Sequence, residues 1–148
     1  MNELTRFGAL SARRTEQALL RGNAVTERFG LTLTPEQCGR LLERRAEALR
    51  ETERIEPGEG ILPKLAVALC DSPCVGPENW EDALGGLTEL FYHFKGACGE
   101  RLGDDELLAA LVRLYNGWAG GCADRIADLD GRAMLRFART GRVGDDDE

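Results

Sequence analysis

The chain has 148 residues, 43% of them hydrophobic and 30% charged, with a formal net charge of −7. That length and balance describe one soluble globular domain able to bury its own core, not a disordered segment and not one needing disulfides or metal to fold. The acidic balance repels a phosphate backbone and disfavours nucleic-acid binding or transcriptional regulation, and no apolar run approaches the ~20 residues that cross a bilayer.

The charge is unevenly spread. Residues 1–56 set ten arginines against nine acids, and residues 57–148 carry the acidic excess. Arginine outnumbers lysine seventeen to two. The N-terminal residues Met1 to Arg6 lack the basic-then-apolar order of a secretory signal, so a cytoplasmic location is expected. The cysteines Cys38, Cys70, Cys74, Cys98 and Cys122 are odd in number and suit a reducing compartment as buried thiols. With no Cys-x-x-Cys or His-x-x-His pair and one histidine, no metal and no cofactor is expected.

Helical spacing dominates the chain, and no stretch alternates as a strand. The first helix is expected from about Ser11 to Phe29, with a bend at Gly22-Asn23, a left-handed cap at Gly30 and Leu31 folding back on Val25. The second is marked by Thr34 as N-cap, Pro35 in the first turn and Gln37 completing a capping box. Its apolar face carries Cys38, Leu41, Leu42 and Leu49. Its polar face pairs Glu36 with Arg40 and Glu47 with Arg50. The loop Pro57-Gly58-Glu59-Gly60 breaks the chain, with Arg54-Ile55-Glu56 as a short extended piece beside it.

A third, short and central helix begins around Pro63 and ends at Ser72-Pro73. The fourth runs from Pro77 or Glu78 to about Cys98 with Trp80, Leu84, Leu87, Phe91, Phe94 and Cys98 as its stripe. Gly85 and Gly86 lie off that stripe and point to tolerance or a close helix crossing. The fifth opens at Asp104 and carries Leu107, Leu111, Leu114 and Trp118. A last region runs from about Cys122 to Arg139, with Asp130-Gly131 as a candidate break and Asp130 as the candidate new N-cap. The expected fold is an all-α, compact single-domain bundle of five to six helices with short loops and antiparallel neighbours, spanning residues 1–143, followed by an acidic frayed tail over 144–148.

Candidate chemistry gathers around residues 60–73. Lys64, Cys70, Asp71 and Ser72 crowd one apolar segment, and Arg45 lies on the apolar face of the second helix. Arg45 either packs its stem and reaches water, or pairs with a carboxylate such as Asp71, Glu89 or Asp130, or holds a ligand anion. Cys70 sits near a helix C-terminus beside Asp71, and both oppose thiolate formation. Lys64 at a helix N-terminus is either solvated or meets an anion. His93 is read as an exposed partner of Glu89. No catalytic residue is assigned.

The segments Leu33-Thr34, Ala48-Leu49-Arg50, Gly60 to Leu65, Cys70-Asp71-Ser72-Pro73, Glu89 to Tyr92 with Phe94-Lys95, and Asp104 to Leu107 resemble, in their joint order, a bacterial family known as domain of unknown function 6323. That resemblance implies no activity and no functional residue. It also implies an aromatic residue where Cys74 stands, which speaks against a Cys70–Cys74 redox pair. The leading expectation is a non-catalytic cytoplasmic interaction or adaptor protein with a protein partner or as a homodimer. The alternative is a small-molecule (anion or carboxylate) binding protein or enzyme with a pocket at Lys64, Cys70, Asp71 and Ser72.

Overall fold

The computed structural model describes residues 3–56 and 58–143, with side chains from residue 12 onward. Among them are seven α-helices and one 3-10 turn, and no strand. They are α1 (Glu3–Thr26), α2 (Pro35–Glu51), α3 (Leu62–Leu69), α4 (Trp80–Ala97), α5 (Asp104–Asn116), α6 (Ala123–Ala127) and α7 (Gly131–Thr140), with the 3-10 turn at Glu27–Phe29. The expected tail lies outside the described residues.

Local chemistry sets most boundaries. The Thr34 hydroxyl accepts from the Gln37 amide at 3.1 Å, and the Gln37 side chain accepts from the Thr34 amide at 2.9 Å. This reciprocal pair satisfies two donors that an opening helix leaves bare. Gly30, in the left-handed region at φ 77°, ends the 3-10 turn. Asp130 accepts from the Ala133 amide at 2.8 Å and opens α7. That cap divides the last helical region, so seven helices stand where five or six were expected. Helix α1 runs through Gly22-Asn23 unbroken, because the Asn23 side chain is occupied outside the helix, clasping both backbone groups of Leu33. After Gly30 the chain turns back, the Leu31 amide donating to the Thr26 carbonyl at 3.3 Å, with Leu31 buried and Val25 exposed.

Helix α4 is the centre of the molecule and packs against α2, α3, α5, α6 and α7. Trp80, Leu84, Leu87, Phe91, Tyr92 and Phe94 are buried along it within one contiguous hydrophobic cluster. Each such side chain contributes roughly 1.5–3 kcal/mol by leaving water.

The closest helix pairs are α2 with α4 and α1 with α3. Both pairs run parallel. Arg40 meets Glu81, Arg44 meets Asp82 and Glu89, and Arg54 meets Glu100, so the ion pairs climb both helices in the same direction. Likewise Thr15 and Arg21 reach Glu59 just before α3, while the Arg28 charge acts on Cys70 just after it. These interfaces join alternate helices and so do not bear on the antiparallel order expected of sequential neighbours, while the links around α3 are longer than the short loops expected. Each parallel pair skips one helix, and the links on either side of α3 are ten residues each, 52–61 and 70–79.

A Cβ at Gly85 would overlap the guanidinium end of the Arg44 side chain, so this glycine leaves room for that side chain to lie across α4, whereas a Cβ at Gly86 would make ordinary contact with Ala123 of α6 at 3.6 Å.

Candidate functional site

The five residues singled out in sequence do not share a partner. Lys64 is exposed and lies 3.6 Å from Asp105. Cys70 is buried, its thiol directed at the Val67 carbonyl at 3.2 Å, and burial followed by the Asp71 charge pushes that thiol up. Asp71 is exposed. Ser72 is buried and donates to Asn116 at 2.5 Å while accepting from the Cys74 amide at 3.0 Å. Asn79 completes that knot by bonding Gly76 and Cys74. The 70–79 link is therefore held by Ser72 and Asn79 within it and by Asn116 of α5.

Arg45 pairs with none of the carboxylates weighed in sequence. Its partner is Glu56, with Nε 2.8 Å from the carboxylate, and the two side chains are 5% and 12% exposed. Tyr92 donates its hydroxyl to the same Glu56 oxygen, and the Ile61 amide donates to the other at 3.1 Å. Burial, then the Glu56 charge, holds the Tyr92 phenol far above its ordinary range. Gly60, at φ 77°, lies so close that a Cβ there would overlap the Glu56 carboxylate. This hub ties the 52–61 link to α2 and α4. A buried phenol at Tyr92 requires a partner, which is the signal that could have led from sequence to the hub.

Two further expected pairs are redirected. Arg40 forks onto Glu81 at 2.8 Å through both contacts instead of pairing with Glu36. Glu89 takes two bonds from Arg44, at 2.7 and 3.1 Å, leaving His93 exposed with its ring edge against Phe94.

Two surface features stand apart from these internal networks. The first is apolar. Val25 and Phe29 are exposed at the end of α1 and its 3-10 turn, and Val67 is exposed on α3, which packs against α1. The second is a groove of about 430 Å³ between α4 and α6, floored by Tyr115 and edged by Arg44. A hollow of about 410 Å³ adjoins it across Arg44, Glu89 and His93 and adds Glu47 and Glu51. Asp82, Tyr115 and Asp124, which line the groove, were not singled out in sequence, because they come together only when α6 docks on α4.

Among the described residues no three His, Cys, Asp or Glu side chains are grouped to hold a metal ion, and no helix is long and apolar enough to cross a membrane. Fold and site together define an all-helical protein in which Arg45, Glu56, Ser72 and Tyr92 fasten the links on either side of α3. The chain belongs to a family of unknown function (DUF6323), whose model matches residues 18–147. No curated protein and no solved structure matches it.

Proposed function

We propose that this protein is a cytoplasmic, single-domain helical interaction protein without catalytic turnover, self-associating through the α1–α3 face. The carrying observation is the exposure of Phe29, Val25 and Val67 at one end of the α1–α3 pair. Three large apolar side chains left exposed on two helical stretches that pack together suit a partner surface. The free state of all five cysteines suits a reducing compartment. The absence of turnover is supported by the candidate polar side chains, which are engaged in fastening loops or spread over separate partners.

The test is light scattering coupled to size exclusion at micromolar concentration. The expected outcome is a dimer mass for the native chain and a monomer mass for Phe29→Glu, with unchanged helical circular dichroism. A native monomer removes the self-association.

A further inference from the structure

The groove between α4 and α6 is built from acceptors. Asp82 and Glu89 stand on one wall, one turn-pair apart on α4, and Asp124 stands on the other. Arg44 is the single cation at its edge, and it bonds Glu89 twice and Asp82 once at 3.2 Å. Asp124 has no ion pair among the described residues. Three carboxylates against one guanidinium leave the groove negative.

Tyr115 supplies an independent sign. It is only 3% exposed, yet its phenol makes no hydrogen bond to any described residue. Among the described residues the fully buried polar side-chain atoms without a partner are Trp80 Nε1 and Thr88 Oγ1, so the small accessible part of Tyr115 includes its phenol oxygen. Here the ring lines the groove floor, within electrostatic reach of Asp82. Burial first, then Cys74 and Asp82, keeps this phenol protonated and neutral. Its oxygen is left to accept from a donor entering the groove.

We propose that this groove binds an organic ammonium group, held by the carboxylates of Asp82 and Asp124 over the Tyr115 phenol. An ammonium carries three donors and no acceptor, which complements a cleft lined by carboxylates and an unpartnered oxygen. A metal ion fits less well, because the carboxylates are not grouped closely enough to coordinate one. The adjoining hollow, with Glu47 and Glu51, extends the acidic track and suits a ligand with a second positive charge further along. This site is independent of the α1–α3 face.

The ammonium can belong to a free diamine or to a lysine side chain. Amide chemical shifts of the isotopically labelled full chain are followed while adding butane-1,4-diamine, its diacetylated derivative, or a trilysine peptide. The expected result is saturable shifts at Gly121 and Asp124 with the diamine or the peptide and none with the diacetylated compound. The tighter of the two binders names the source. Asp124→Asn and Tyr115→Phe should each weaken binding by about three- to tenfold, the range of a partly exposed charged contact. Ala127→Arg, at an exposed position on the groove wall, should abolish it. Asp105→Asn, ten residues up α5 and so ~15 Å from Tyr115, should change nothing. No shift with either amine, equal shifts with the diacetylated compound, or wild-type affinity in all three groove variants overturns the proposal.

Discussion

Glu56 shows how much one side chain can organise. It accepts from Arg45, from Tyr92 and from the Ile61 amide, and it does so from a loop. Removing it leaves the Arg45 guanidinium buried without its carboxylate, and an uncompensated buried charge costs about 3–5 kcal/mol. Glu56→Ala should therefore lower stability by that order in denaturant titration, while Glu56→Gln, which keeps an acceptor, should cost distinctly less. Equal losses would show that charge neutralisation is not what holds the hub. Arg45 was conspicuous in sequence because arginine is rarely buried alone. Its partner was not, since Glu56 lies eleven residues on, past the end of α2, and nothing in helical periodicity brings a loop residue back over the face it has just left.

At the scale of elements, legibility follows range. The α2 start at Thr34-Pro35-Gln37 and the α7 start at Asp130 were readable, because each cap is made within four residues of chain. Replacing a capping oxygen costs about 1 kcal/mol. Thr34→Ala and Asp130→Ala should each lower the unfolding free energy by that amount, and additively, being on separate helices. Helix directions were not readable in the same way. Short links favour antiparallel sequential neighbours, but the closest interfaces join alternate helices, with α4 lying along α2 in parallel. Of the arginines that make this ladder, Arg40 read in sequence as the helical partner of Glu36 and Arg54 as part of a short extended piece. Their partners at 81, 82, 89 and 100 are too distant in the chain for an i,i+4 reading to find. Gly85 was noticed as a place for a close crossing, and its occupant proves to be the Arg44 side chain.

For the whole molecule, the titrating groups point to a stability plateau bounded on both sides. Burial pushes the Cys38 thiol up from 9.0 to about 11, with Glu16 adding to it. Burial also raises Cys70, Cys98, Tyr92 and Tyr115. The unfolded chain then loses these protons before the folded one does, so the folded state binds more protons and stability falls as pH rises from about 9 toward 11. On the acid side, hydrogen bonding to Arg40 holds Glu81 below its ordinary 4.5, so that contribution is present above this value and fades as pH drops through the depressed one. Thermal unfolding followed across pH should show a flat middle with losses at both ends. A melting temperature that keeps rising above pH ~9 would contradict the alkaline arm. The candidate groove was the least legible feature of all. Tyr115 sits beside the Leu111–Leu114 stripe and reads as one more core residue until α6 closes over it.

The anchoring of the 52–61 link also sets a kinetic expectation. Surface connections usually exchange their amide protons through small, frequent openings. Here the Ile61 amide is tied to a carboxylate that cannot swing outward without abandoning a charged guanidinium inside. This connection should accordingly be as slow to trade hydrogen for deuterium as the central helix.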